Sequence, residues 1–207
     1  MTTAVRQFLD IVNLACGAVR PGLGSAHRRQ LIFASTLGSV VLAAIWGLAA
    51  GSASPQLAAS NAFTVPLVVV IASLCALPAG ALALKLSGAA VPPRDLLLAY
   101  ASAVFGGTLV LAVSAPLVAV YYHTSQFAGQ GIAIGSAMVA IAVAVLSMIR
   151  NLVRLAPTGA ARWPLVITAV VFLTIYLAAL VQLVSLASPI LPEHTMFDGG
   201  VDEILRR

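Results

Sequence analysis

From Leu96 to Tyr122 the chain runs without a single Asp, Glu, Lys, Arg or His. As a straight helix this stretch would measure about 40 Å, more than the roughly 30 Å of a bilayer's hydrocarbon core. It reads as a membrane span. Four further apolar segments accompany it, at 31–51, 63–85, 129–149 and 164–188. Only 8% of the residues are charged, against about 25% in a soluble domain. Mean hydropathy is +1.05, so this chain cannot cover a surface for water. The expected architecture is an all-α integral membrane protein. Residues 1–30 form an interfacial segment, 31–189 a five-helix transmembrane domain, and 190–207 a polar tail.

The prolines and aromatics mark where the spans bend and end. Pro66 is expected in the first turn of the second span, where a missing N–H costs little, and Pro78 is expected to kink it. The middle span must tilt, bend or emerge, with Pro116 as the place to bend. Residues 52–61 read as an uncharged loop. Tyr121 and Tyr122 are expected at the outer interface and Trp163 at the inner one, with Pro164 in the tolerated first turn of the fifth span.

Orientation follows from the basic residues. Arg6, Arg20, Arg28, Arg29, Lys85, Arg94, Arg150, Arg154 and Arg162 all fall on one side of a five-span thread, nine of the eleven in the chain. The other side holds Arg206 and Arg207 together with Glu193, Asp198, Asp202 and Glu203. The positive-inside rule then predicts a cytoplasmic N-terminus and an outward C-terminus. The same clustering explains the pI near 9.9 without nucleic acid, because the charges sit between spans rather than on one basic surface. Ten of the eleven basic residues are arginine, Lys85 being the exception. With abundant alanine and glycine, that bias points to a GC-rich bacterium and hence to its inner membrane.

Ahead of the first span, Val5, Phe8, Leu9, Val12, Cys16 and Val19 recur at helical spacing. Arg6, Asp10, Asn13, Gly17 and Arg20 follow the other side. This is the pattern of an amphipathic helix stopped at Pro21-Gly22. Beside a span it is expected to lie in the headgroup plane with its apolar stripe down. An organellar transit peptide and docking onto a partner helix are the competing readings.

Residues that carry chemistry are scarce. No Asp, Glu, His or Arg lies deep in a span, and Lys85 and Asp95 stand at ends where they can snorkel. Ion-coupled transport, voltage sensing and haem ligation all place such groups within the membrane, so these classes are disfavoured. Cys16 and Cys75 are too far apart along the thread for a disulfide framework. In the tail, His194 and the four acids match neither a zinc nor an EF-hand spacing. They read as a solvated segment able to dock on an outer partner. No nucleophile elbow or phosphate loop is present. No catalytic residue, metal or cofactor is expected.

Small residues supply packing surface instead. Gly131 and Gly135 form a Gly-x-x-x-Gly pair that Ala142 continues, while Ser102 with Gly106 and Ala103 with Gly107 repeat the spacing in the third span. Such faces let helix backbones approach closely, and packing within the chain's own bundle is the expected use.

At the start of the third span, Gly88 is followed by Arg94-Asp95-Leu96-Leu97-Leu98-Ala99-Tyr100-Ala101-Ser102. With the amphipathic N-terminal segment and five spans, this stretch resembles the Yip1 family of small membrane proteins. The resemblance implies an N-in, C-out bundle. Eukaryotic members shape membranes and bind small GTPases, but no functional residue is carried over to this chain.

Three functions remain. The first is a non-enzymatic subunit that assembles with other proteins in a bacterial inner-membrane complex. The second is a permease-type subunit for an apolar or lipid-like solute, bending at Pro78, Pro116, Gly106 and Gly107. A polar-lined cavity between spans two, three and four would favour it, and a tightly packed bundle would oppose it. The third is a membrane-shaping protein acting through the N-terminal helix.

Overall fold

A backbone crossing lipid must satisfy its own polar groups, which helices do within a single segment. The computed structural model describes residues 9–13, 15–16, 24–89, 91–124, 126–156 and 162–186. Among them are five long helices: α1 (Ser25–Ala50), α2 (Pro55–Leu86), α3 (Pro93–Thr124), α4 (Gln126–Leu155) and α5 (Trp163–Leu186). Each is long and apolar enough to cross a membrane. Phe33, Phe63, Leu74, Val113 and Leu146 stand out from the bundle, each more than 60% exposed. That suits a surface whose solvent is hydrocarbon.

The helices overrun the apolar segments at several ends. Residues 55–61, expected in a loop, are the first turns of α2. Ser54 accepts a hydrogen bond on its side-chain oxygen from the Leu57 N–H at 3.2 Å, and Pro55 supplies a preset φ at the first helical position. The connection from α1 is therefore only residues 51–54. Pro66 is in consequence an interior residue and not a first-turn one. Pro66, Pro78 and Pro116 all lie inside helices, so the carbonyls of Ala62, Leu74 and Ala112 lose their usual intrahelical donor.

The helices are arranged as a ring with one loose joint. α3 packs extensively on α4 and on α1, α1 on α2, and α2 on α5, whereas α4 scarcely touches α5. The tight joints are made where side chains are smallest. At the α1–α2 hairpin, a Cβ on Gly47 would overlap the Asn61 carbonyl and one on Gly51 the Ala58 amide. Gly80 of α2 admits the Phe172 ring of α5 in the same way. In α3, a Cβ on Gly107 would lie 2.9 Å from the Ala140 carbonyl oxygen and 3.1 Å from the Ala144 Cβ of α4.

Two apolar clusters close the ends of the ring. One joins Leu84, Leu96, Tyr100, Met148, Leu152 and Phe172, and the other joins Ala43, Trp46, Val65, Val118, Tyr122 and Ala133. Tyr122 was expected at an outer interface and is instead buried. The α4 backbone comes so close that a Cβ on Gly129 would be 2.9 Å from Tyr122 Cα. Tyr121, one residue earlier, is the exposed member of the pair.

Candidate functional site

Between the tightly packed pairs α3–α4 and α2–α5 lies a cleft of about 300 Å³. It is lined chiefly by α3, α4 and α5, with Val65, Val68 and Val69 of α2 and Trp46 of α1 completing it. Ile134 and Met138, both more than half exposed, mark the rim on the side where α4 and α5 part. The cleft exists because α4 and α5 each have a closer partner elsewhere. Gly107 draws α4 onto α3, and Gly80 draws α5 onto α2.

Three of the polar side chains bordering this space are hydrogen-bonded away from it. Trp46 donates from Nε1 to Ser136 Oγ at 3.1 Å, joining α1 to α4. Tyr100 donates its hydroxyl to Ser73 Oγ, joining α3 to α2. Thr108 donates to the carbonyl oxygens of Val104 and Phe105 in its own helix. Tyr100, Phe172 and Tyr176 form an aromatic wall, with ring centroids 4.7 Å apart for Tyr100–Phe172 and 6.5 Å for Phe172–Tyr176. The polar-lined cavity expected as the mark of a permease is not what is found: this cleft has apolar walls, and α1 and α5 line it together with α2, α3 and α4.

Below the cleft two polar contacts tie α3 to its neighbours. Asn151, fully buried in α4, donates from Nδ2 to Ser102 Oγ at 2.8 Å. Arg28 of α1 pairs with Asp95 of α3 at 2.9 Å, with side chains only 14% and 11% exposed. Sequence reading gave Arg28 a topogenic role and let Asp95 snorkel beside Arg94. Asp95 in fact turns inward to α1, and Arg94 is left exposed. Arg29, Lys85, Arg150, Arg154 and Arg162 are exposed as well. Trp163 is 71% exposed at the start of α5.

The small-residue faces divide. Ser102 is fully buried, Gly107 meets α4, and a Cβ on Gly106 would sit in ordinary contact, 3.4 Å from Ala15 Cβ. Gly131 and Gly135 do not pack within the bundle as expected: added Cβ atoms there would meet nothing within 4 Å. Ala142 on the same helix is exposed too. Rotation of α4 about its contact with Gly107 decides this, since Ala140 and Ala144 face α3 and the glycines consequently face out.

The N-terminal segment packs on the bundle through residues outside the expected stripe. Residues 9–13 are helical, and Ile11 and Ala15 are buried against Leu31, Leu98 and Phe105. Val12 is half-buried, while Leu9 and Cys16 are exposed. The most buried positions are therefore Ile11 and Ala15, one turn apart, and not the stripe expected to lie on lipid. Val5, Phe8 and Val19 lie outside the described residues, as does the tail 190–207. Among the described residues no group of three His, Cys, Asp or Glu could hold a metal ion. No family model, curated protein or solved structure matches this chain.

Proposed function

We propose that this chain is a non-enzymatic membrane subunit that assembles with other proteins in a bacterial inner membrane, its N-terminus cytoplasmic and its C-terminus outside. One observation carries the reading: among the described residues, nothing covers the Gly131, Gly135 and Ala142 face of α4. Small residues at four-residue spacing let a neighbouring helix approach closely enough to pack by dispersion, the main source of helix association in lipid.

Replacing Gly131 and Gly135 by leucine tests this reading. The wild-type chain in mild detergent is expected to migrate as a larger assembly with co-purifying protein. The double variant is expected to lose that assembly at unchanged thermal stability. A monodisperse wild-type monomer with nothing bound would overturn it.

The cleft favours a second reading, a subunit that takes an apolar or lipid-like solute from the bilayer without ion coupling. Its walls offer dispersion and little hydrogen bonding, and its open side faces lipid.

A further inference from the structure

The dimensions of the cleft select among apolar occupants. Its α4 wall runs from Ala133 to Met148, about 22 Å at ~1.5 Å per residue. A cavity volume of about 300 Å³ spread over that length makes a narrow slot, too narrow for a helix some 10 Å across. A partner helix does not fit. The volume is twice that of an engineered apolar cavity of about 150 Å³ that takes one benzene ring, so the space suits a linear chain of about a dozen carbons.

Charge identifies the end at which such a chain would be anchored. Beyond Met148, at the same end of the bundle, α4 carries Arg150 and Arg154 and α5 is preceded by Arg162, all three exposed. Neither α4 nor α5 contains an acidic residue. The nearest helix with one, α3, has its Asp95 neutralised by Arg28. Trp163, exposed beside Arg162, marks the same level as a headgroup region.

We propose that the cleft binds the acyl chain of an anionic phospholipid, admitted between α4 and α5, with its headgroup at the level of Arg150, Arg154 and Arg162. The proposal rests on the second reading above, that the cleft takes an apolar occupant, and names that occupant's chemistry. Hydrocarbon fills the space that no side chain reaches, and the arginines discriminate by headgroup charge.

The chain contains two tryptophans, so Trp163→Phe leaves Trp46, at the far end of the cleft, as a single fluorescent reporter. The variant is reconstituted in phosphatidylcholine vesicles doped with lipid brominated near the methyl ends. Brominated phosphatidylglycerol is expected to quench Trp46 at a mole fraction on the order of tenfold lower than brominated phosphatidylcholine. Adding Arg150→Gln, Arg154→Gln and Arg162→Gln is expected to remove that preference. Adding Ala137→Phe, which fills the cleft, is expected to abolish quenching by both lipids. Leu177→Phe blocks the same space from α5 and keeps the test decisive if Ala137→Phe does not fold. Equal quenching by the two lipids overturns the anionic assignment and leaves an apolar site standing. Absence of quenching, or quenching untouched by the filling variants, overturns both.

Discussion

Arg28 and Asp95 join the first helix of the bundle to the third across 67 positions of sequence, Nη1 to Oδ1 at 2.9 Å. Asp95 lies in the first turn of α3, where a carboxylate also meets the positive end of the helix dipole. Two stabilising influences thus act on the acid.

Asp95→Asn is therefore expected to destabilise the bundle, because it leaves Arg28 charged and largely removed from water. Breaking a buried pair from one side costs about 3–5 kcal/mol. The double variant Arg28→Met, Asp95→Leu is expected to recover much of that loss, since it removes both charges together. Thermal unfolding in detergent, followed by circular dichroism, reads both. Two single-variant losses that simply add in a double variant would show that the ion pair is not coupled.

The glycines predict a graded series. Gly47→Ala and Gly107→Ala force a Cβ into the backbone carbonyl of an adjoining helix, and overpacking of this kind costs about 1–3 kcal/mol. Gly106→Ala makes only an ordinary contact with Ala15 and is expected to be near neutral. Gly131→Ala meets nothing and is expected to leave the melting temperature unchanged. A loss at Gly131 as large as that at Gly107 would mean that α4 is rotated from the orientation described here.

Asn151→Leu removes the hydrogen bond to Ser102 that ties α4 to α3. Side-chain hydrogen bonds between membrane helices average about 0.6 kcal/mol and reach about 2 kcal/mol. The expected loss is accordingly smaller than that of Asp95→Asn. Comparing the two melting curves under one detergent condition checks the ranking.

Span number was legible because apolar length is a one-dimensional signal that needs no knowledge of neighbours. The start of α2 is signalled by Ser54 followed by Pro55, yet residues 52–61 read as a loop because Gln56, Ser60 and Asn61 resemble loop chemistry. Asn61 is in truth buried beside Gly47. The rotation of α4 was not legible. In a soluble helix the contrast between polar and apolar faces announces the inside, but lipid is as apolar as the core, so both faces of α4 look alike. The cleft was hidden for a related reason: it depends on Gly80 and Gly107 drawing α5 and α4 apart, and a lone glycine does not name its partner. Asp95 lies beside Arg94 in the sequence, and only the approach of α1 shows that its charge partner is Arg28.

The direction of the thread is set by where arginine collects, and cysteine labelling checks it. Cys16 and Cys75 are first replaced by serine and alanine. Ala53, exposed between α1 and α2, and Arg94, exposed at the start of α3, are then changed singly to cysteine. Arginine is retained on the cytoplasmic side because moving it across the bilayer is opposed during insertion. Ala53→Cys is therefore expected to react with a membrane-impermeant maleimide on intact cells, and Arg94→Cys only after permeabilisation. The two positions are joined by α2 alone, so their reactivities must be opposite if α2 crosses the membrane. The reverse pattern would invert the bundle and put the arginine-rich end of the cleft in the outer leaflet. Equal labelling of both on intact cells would remove α2 from the membrane and reduce the number of crossings.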